Sequence, residues 1–393
     1  MAGGVYRAEI DGLRFFAIAI VVAGHFTERA IRFFPEVAAA QDHPLVWILA
    51  RPGLGVYLFF AISGFILATQ AMKAKAGPLS SGFLRAYFGR RVLRIEPPYL
   101  ILLVLTWAGL MLSGYTPEKS NQFAVAPASL TVSLMSSLVY VHGLFWGSYP
   151  RLFPPGWSLE VEVQFYLIAP LLFAALFAWR SRATRLLFGL VLLAAGTVLS
   201  LYVPRQAGSL FVFDSILRFF HFFWLGILLA DWQGWLAEKT RNAPPVLLAC
   251  LGWGAFLAYL AIPNAPEHPG NWPDILLALT IRSAALGTVA AMFVGVFGPR
   301  SSFRCFCASP WASLIGGACY SIYLTHIQVL QVMTGLIAKI APNPSPEWLA
   351  ATACAEILAV LVVGLAFYAL IERTFMIPGW PQKLRAQFAT VRP

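Results

Sequence analysis

Charged residues are scarce in this sequence. Asp, Glu, Lys and Arg make up 11% of the 393 residues, hydrophobic residues make up 59%, and the mean hydropathy is +0.72. Soluble domains carry about 25% charged residues. The deficit therefore excludes a soluble globular protein and predicts an all-α chain that crosses a membrane several times.

Acidic residues are scarcer than basic ones, 17 against 28, which gives a formal net charge of +11. Nucleic-acid-binding proteins also have a basic excess. Here, however, the Lys and Arg residues lie in short segments between apolar runs, which is the positive-inside pattern of membrane proteins. The charge balance thus predicts a membrane orientation and argues against a nucleic-acid partner.

Cysteine is rare, with five residues in the chain. Cys305 and Cys307 are close in sequence, but their C-x-C spacing lacks the further Cys or His ligands of a zinc site, so no metal is predicted. The sequence also lacks a recognisable soluble domain, an internal repeat and a low-complexity tract. No small-residue cleavage site follows the first apolar run, so we expect this run to be retained as a span.

Ten apolar runs have the length needed to cross a bilayer. They lie near residues 11–31, 53–72, 95–113, 157–179, 186–203, 215–236, 244–262, 274–297, 310–331 and 348–371. Residues 128–145 are also apolar, but they are rich in serine and contain few bulky side chains. The distribution of Lys and Arg decides between ten and eleven spans.

With ten spans and a cytoplasmic N-terminus, most of the basic residues lie on the cytoplasmic side, including the cluster at 180–185. Counting 128–145 as a span would move that cluster outside. The sequence thus predicts ten transmembrane helices with both termini cytoplasmic and an outer loop at 114–156, with a re-entrant or interfacial helix as an open alternative. Residues 1–375 are expected to form the membrane domain and 376–393 a cytoplasmic tail.

Two ionisable residues interrupt the first apolar run, Arg14 and His25. Eleven residues are three helical turns plus about 20°, so both side chains share one face, about 16 Å apart along the axis. Ionisable groups within a membrane helix are costly and usually face the bundle interior or a watery cavity. This pair is therefore a candidate functional site, with a histidine that serves only helix packing as the alternative.

Other polar residues are expected near the depth of His25. In the predicted topology, His326 lies about as far along the ninth run as His25 does along the first, and Glu160 and Glu162 open the fourth run from the outer face. Because Glu160 and Glu162 are about 200° apart on a helix, they cannot both face one cavity. One is a site candidate, and the other is expected to meet headgroups or the outer loop.

Basic residues precede the third run at the cytoplasmic end. Arg90 and Arg94 are four residues apart on one helix face, a geometry suited to phosphate, and Arg91 lies beside them. The positive-inside rule alone would also explain this cluster. Arginines at the inner mouth suit a phosphorylated donor in the cytoplasm. His and Glu near the outer surface suit an acceptor outside, because a neutral His oriented by a carboxylate is the usual base for activating a hydroxyl.

These residues together resemble the acyltransferase-3 family of integral membrane O-acyltransferases. The resemblance covers most of the chain and rests on six segments in order. They are Arg14 with His25, Gly55 to Phe65 with Ser63, Arg90-Arg91-x-x-Arg94 with Pro98-Tyr99, Trp157 to Leu167 with Glu162 and Tyr166, Tyr320 to His326 with Tyr323, and Ile371-Glu372-Arg373. One departure is Val163, where the family motif often continues Glu-Glu-Gln.

The resemblance implies a ten-helix bundle, in the form without a fused hydrolase-like domain. It implies transfer of an acetyl or other short acyl group from cytoplasmic acyl-CoA to a hydroxyl of an extracytoplasmic glycan or lipid-linked acceptor. It favours Glu162 over Glu160 as the motif carboxylate. No bound cofactor is implied, and the expected location is the inner membrane of a bacterium.

We therefore predict His25 and Glu162 as catalytic residues, with His25 as general base or in an acyl relay. The residues predicted to contact substrates are Arg14, Arg90, Arg91, Arg94, Ser63, Tyr166, Tyr323 and His326. Simpler roles remain open for several of these: Ser63 as a close-packing residue, and Glu162 as the partner of a buried Arg218 or Arg282. A transporter or flippase for a glycan or lipid intermediate is the alternative function, although such proteins often show repeats that are not visible here.

Overall fold

The computed structural model describes residues 7–114, 129–203, 212, 214–266, 269–341 and 344–376, and these ranges contain helices but no strand. The long helices, numbered here in chain order, are α1 Ala8–Phe33, α2 Pro52–Ala71, α3 Ser81–Ser113, α4 Trp157–Phe177, α5 Arg182–Tyr202, α6 Ile216–Thr240, α7 Pro245–Ala261, α8 Trp272–Phe297, α9 Cys319–Ile340 and α10 Pro346–Phe367. Short helices are Pro35–Ala39, Pro44–Leu49, Leu130–Leu138, His142–Trp146, Ser302–Cys307, Pro310–Gly317 and Arg373–Met376.

The predicted all-α polytopic bundle is confirmed. Within the described ranges, eight of the long helices are long and apolar enough to cross a membrane, namely α1 to α5 and α8 to α10. Helices α6 and α7 coincide with the two remaining predicted runs. The total of ten spans and the cytoplasmic position of both termini stay predictions, and the expected tail falls beyond the described residues except for Met376.

Helices α2 and α6 form the centre of the bundle. Almost every side chain of α6 from Arg218 to Ala230 is buried, which is the pattern of a helix surrounded by other helices. The two helices approach closely because a Cβ on Gly64 would overlap the backbone of Phe223, and a Cβ on Gly226 would overlap that of Ala61. Small residues thus bring these backbones into contact, as is typical of membrane helix pairs.

Arg51 fastens the start of α2 to the end of α7. Its guanidinium donates hydrogen bonds to the backbone carbonyls of Leu260 and Ile262 and stacks 4.0 Å above the Trp47 ring. The last carbonyls of a helix lack partners within the helix, so the arginine satisfies groups that would otherwise be buried without a hydrogen bond. Tyr259 adds a 2.6 Å hydrogen bond to the Leu54 carbonyl.

The segment around 128–145 contains two short helices rather than one span. Leu130–Leu138 and His142–Trp146 have nine and five residues. A nine-residue helix extends about 14 Å, which is less than half of the hydrocarbon thickness of a bilayer. The buried Glu160 carboxylate fixes the second of them by accepting hydrogen bonds from the backbone N–H groups of His142 (3.2 Å) and Gly143 (2.8 Å).

The ninth membrane helix begins later than predicted. The apolar run 310–331 is interrupted at Ala318, so that the short helix Pro310–Gly317 precedes α9, which continues to Ile340. The short helix lies against the start of α1, where a Cβ on Gly316 would overlap the Asp11 backbone. Hydropathy does not reveal this break because both pieces are apolar.

Candidate active site

A cavity lies within the bundle between α1, α2, α3, α4 and α9. Most of its surface is apolar, but each of these helices contributes at least one polar side chain. The polar lining residues are Arg14, Ser63, Arg91, Arg94, Ser158, Glu162, Tyr166, Cys319, Tyr320 and Tyr323. Seven of the ten predicted site residues thus lie around one cavity.

Glu162 is the carboxylate of this cavity. Its Oε1 accepts a 2.5 Å hydrogen bond from the Ser63 hydroxyl and another of 2.5 Å from the Tyr166 hydroxyl. Tyr166 is one turn further along α4, and Ser63 comes from α2. Glu162 therefore bonds to neither Arg218 nor Arg282, and Ser63 orients the carboxylate in addition to packing between helices. Glu160, on the other side of α4, holds the outer short helix instead.

Three arginines line the cavity at its other end, each with a different neighbour. Arg14 makes a 2.6 Å ion pair with Asp11, and the Arg94 guanidinium lies 3.9 Å from the buried carboxylate of Glu372. Arg91 lies 5.9 Å from the centre of the Tyr166 ring.

Arg90 is not part of this group. It is exposed and lines neither this cavity nor the one below it. Helix α3 turns the stripe of Tyr87, Ile95 and Leu102 inward, and Arg91 and Arg94 share that face. Of the pair expected at Arg90 and Arg94, only Arg94 lines the cavity, and the second arginine on that face is Arg91, three residues before it.

A second, wider cavity continues from the arginines towards the end of the bundle where α1 begins. The two cavities share Arg14, Ile66 and Arg94 in their linings. Arg7 and Lys73 add two more positive charges to the second cavity, and Asp11 adds one negative charge. In the predicted topology this is the cytoplasmic mouth, and its excess of positive charge favours an anionic ligand.

Tyr323 closes the opposite end of the first cavity. Its hydroxyl donates a 2.5 Å hydrogen bond to the Pro155 carbonyl and lies 2.7 Å from the Ser158 hydroxyl. Its ring is 5.6 Å from that of His326, one turn further along α9. Tyr323 therefore contacts both the cavity and the histidines beyond it.

His25 and His326 form a pair just beyond Tyr323, with ring centres 5.1 Å apart. His25 Nδ1 lies 2.9 Å from the Glu28 carboxylate, so this nitrogen donates and Nε2 is left as the basic nitrogen. His326 Nδ1 donates a 2.6 Å hydrogen bond to the Tyr323 carbonyl, and its buried Nε2 has no hydrogen-bond partner. The sequence-based expectation that the two histidines share a depth agrees with this contact.

Glu162 lies deeper than the histidines, unlike the sequence-based expectation. Ser158, which bonds Tyr323, is one turn before Glu162 on α4, and Tyr323 is one turn before His326 on α9. Two turns separate the carboxylate from the histidine pair by about 10 Å along the helix axes. The carboxylate that orients His25 is Glu28 rather than Glu162.

Sequence reasoning missed three residues of this region. Glu28 follows His25 at the i, i+3 spacing of helix neighbours, which is a usable signal. Ser158 lies inside a quoted motif, but nothing in the sequence pairs it with Tyr323. Glu372 belongs to the terminal Ile371-Glu372-Arg373 motif, to which the sequence alone assigns no role. In the structure it lies in a π-helical turn, Tyr368–Glu372, and accepts a 2.6 Å hydrogen bond from the Ser321 hydroxyl.

Comparison with known proteins identifies the family of the chain. The sequence profile of the acyltransferase domain matches residues 7–368. The chain therefore belongs to the acyltransferase-3 family, as its motifs indicated. No solved structure matches the chain.

Curated relatives are distant but extend over most of the chain. A protein of Staphylococcus aureus strain MSSA476, whose name gives O-acetyltransferase as its assumed activity, is 22% identical over 340 residues, 83% of this chain and 51% of the relative. The peptidoglycan O-acetyltransferase OatA of Listeria monocytogenes is 24% identical over 86% of this chain and 51% of its own length. Regulator of hypoxia-inducible factor 1 of Caenorhabditis elegans is 25% identical over 41% of this chain and 33% of its own length. The chain thus spans about half the length of the two bacterial relatives.

Proposed function

We propose that this protein is a membrane O-acyltransferase that moves an acetyl or other short acyl group from cytoplasmic acyl-CoA to a hydroxyl of an extracytoplasmic glycan. The observation that carries this proposal is the continuous row of polar groups through the bundle. It leads from the basic second cavity through Arg91 and Arg94 to Glu162 and Tyr323, and ends at the paired histidines. The family membership and the names of the bacterial relatives support O-acyl transfer as the reaction.

The basic end of this row suits the donor. Coenzyme A carries several phosphate groups, and the guanidinium groups of Arg91 and Arg94 offer charge-assisted hydrogen bonds to such oxygens. Arg14 and Lys73 raise the local positive potential further. The narrower first cavity, with its mainly apolar walls, then suits the slender acyl-bearing arm of the donor, with its acyl end towards Tyr323.

The histidine end suits the acceptor. With Nδ1 of His25 bonded to Glu28, its Nε2 is positioned to accept the proton of an acceptor hydroxyl. The hydroxyl oxygen then bonds to the acyl carbonyl carbon and the bond to the donor sulfur breaks. Coenzyme A leaves as its thiolate, and the proton taken up by His25 is afterwards released to neutralise it. The ring centre of His326 lies 5.1 Å from that of His25. Its Nε2, which has no hydrogen-bond partner, can accept a further hydrogen bond from the glycan.

Glu162 is assigned a role in the donor cavity rather than at the acceptor. Its two short hydrogen bonds from Ser63 and Tyr166 fix the carboxylate opposite the arginines. We propose that this fixed negative charge positions Arg91 and Arg94 and thereby the donor between them.

The test uses the purified full chain reconstituted in vesicles with acetyl-CoA labelled in the acetyl group. We expect release of free coenzyme A and transfer of label to a bacterial glycan or lipid-linked fraction added on the side opposite the donor. If the protein neither hydrolyses acetyl-CoA nor transfers the label, and does not bind coenzyme A, the proposal is wrong. Comparing the masses of surface glycans from wild-type and deletion strains would then identify the acceptor by a lost acetyl or succinyl increment.

A further inference from the structure

The second cavity is large enough to hold a nucleotide, whereas the first is not. Their volumes are about 670 Å³ and about 80 Å³. Pockets for small-molecule and cofactor ligands usually have about 300–1,000 Å³, so the first cavity admits only a thin chain. With acyl-CoA as the donor, which rests on the proposed function, the nucleotide end must therefore lie in the second cavity.

The length of the donor arm places the pyrophosphate at the neck between the two cavities. Thirteen bonds join the nearer phosphorus of coenzyme A to its sulfur, and an extended chain advances about 3.3–3.6 Å per three bonds, so the arm spans about 15 Å. Arg14 and Arg94 belong to both linings and thus mark the neck. From Arg14 to His25 the distance along α1 is about 16 Å. An arm whose phosphates lie at the neck therefore brings the thioester to the histidine end.

The positive charges of the second cavity lie at two levels. Arg14 and Arg94 are at the neck, and Arg14 also pairs with Asp11. Arg7 and Lys73 line the second cavity but not the first, and both are exposed. Arg7 precedes Arg14 by seven residues, about 10 Å along the helix axis. The cavity thus offers one set of cations to a pyrophosphate and a separate set to a phosphate on the other side of a ribose.

Gln70, near the end of α2, adds an unused hydrogen-bond group to this cavity. Its side-chain oxygen is buried without a hydrogen-bond partner, and the residue belongs to the lining. The last torsion of a glutamine side chain is broad, so the amide can turn into the cavity. A glutamine amide binds adenine in a bidentate way, because its oxygen accepts from the exocyclic amino group and its nitrogen donates to the neighbouring ring nitrogen. Guanine carries an oxygen in place of that amino group and cannot donate there.

We propose that the second cavity recognises the 3′-phosphorylated adenosine of the donor, with Arg7 and Lys73 on the 3′-phosphate and Gln70 on the adenine. The pyrophosphate then lies at the neck, between Arg14 and Arg94. This arrangement selects a complete acyl-CoA. Neither 3′-dephospho-coenzyme A nor the phosphopantetheine arm of a carrier protein has a 3′-phosphate to offer to these residues.

The experiment uses the purified full chain in neutral detergent and measures dissociation constants by isothermal titration. The buffer is low in salt, because the two outer cations are exposed and salt screens them. The ligands are coenzyme A and 3′-dephospho-coenzyme A, which differ only by the 3′-phosphate. Adenosine 3′,5′-bisphosphate and guanosine 3′,5′-bisphosphate, which differ only in the base, are measured as competitors of coenzyme A.

We expect coenzyme A to bind about 10-fold more tightly than its dephospho form, the effect of a charge-assisted hydrogen bond. The double variant Arg7→Gln/Lys73→Gln should reduce this ratio to about 2 or less, because the cations of the 3′-phosphate are gone. Lys75→Gln, which removes an exposed charge outside both linings, should keep the ratio.

The adenosine nucleotide should compete about 10-fold better than the guanosine nucleotide, as expected for a bidentate contact to a base. Gln70→Leu should abolish that preference. Thermal melts show whether each variant is folded.

Equal binding of coenzyme A and its dephospho form would overturn the proposal, as would an unchanged ratio in a folded double variant. Failure of the adenosine nucleotide to displace coenzyme A, or an adenine preference that a folded Gln70→Leu protein keeps, would also overturn it. If coenzyme A does not bind at all, the proposed donor is wrong as well. Binding of coenzyme A without these preferences contradicts only the nucleotide site and leaves the proposed acyl transfer intact.

Discussion

Replacing Arg91 by Gln tests the assignment of the donor end most directly. Arg91 faces the cavity beside Tyr166, and the described residues give it no ion pair that its removal would break. Arg90 is its neighbour on the same helix with the same charge but is exposed and outside both cavities. Arg90→Gln is therefore a control matched in charge, helix and sequence position.

The expected loss follows from one charge-assisted hydrogen bond. Such a bond contributes about 1.5–3 kcal/mol, which corresponds to roughly 10- to 150-fold in a dissociation constant. We expect Arg91→Gln to raise the dissociation constant of coenzyme A and the KM for acetyl-CoA by this factor. Arg90→Gln, which removes only a solvated charge, should change both by less than about 3-fold.

Isothermal titration of coenzyme A into the purified protein measures the first quantity, and initial rates of acetyl-CoA consumption measure the second. Arg94→Gln is a less suitable first test, because it would leave the buried Glu372 carboxylate without its cation and destabilise the fold. Equal effects of the Arg91 and Arg90 substitutions would refute the cavity as the donor site. The positive-inside rule alone would then explain the basic cluster.

Three further predictions concern the other ends of the site. His25→Ala should abolish acyl transfer in an assay with labelled acetyl-CoA while coenzyme A binding is kept; near-normal transfer would contradict its role as base. Glu162→Gln should impair coenzyme A binding at nearly unchanged melting temperature, whereas Glu160→Gln should chiefly lower the melting temperature. If Glu160→Gln impaired binding and Glu162→Gln only lowered the melting temperature, the roles given to the two carboxylates would be wrong. Burial lowers the pKa of His142 to about 4, so its neutral form is favoured on folding, and lowering the pH from 7.5 to 5 should cost about 2 kcal/mol of stability, a loss that His142→Asn should reduce in thermal melts.

The helices were predictable because apolar runs of spanning length leave few alternatives for the backbone in lipid. Where prediction differed from the structure, the deciding contact came from elsewhere in the fold. The break at Ala318 depends on the fit of Gly316 against α1, and the choice of Arg91 over Arg90 depends on which stripe of α3 is buried. Neither is a property of the local sequence.

The site was predictable as a set of residues but not as a geometry. Polar groups in apolar runs are rare enough to identify Arg14, His25, Glu162 and His326 individually. Their relative depth depends on how far each helix is shifted along its neighbours, and a shift of two turns changes no hydropathy pattern. In the structure Glu162 lies apart from the histidines, and Glu28 is the carboxylate that bonds His25.

The predicted sidedness of the bundle determines which end meets acyl-CoA, and residues around 128–145 offer the test. Ser129, just before the first short helix, and Phe145, within the second, are exposed, and so is Ser181 immediately before α5. Single cysteines at these positions, in a background without the native cysteines, are treated with an impermeant thiol reagent on intact cells. If 128–145 does not span, 129 and 145 react from outside and 181 does not. Opposite behaviour of 129 and 145 would mean an eleventh span. The start of α4, with Glu160 and the Ser158 contact to Tyr323, would then lie on the cytoplasmic side, which the proposed direction of transfer does not allow.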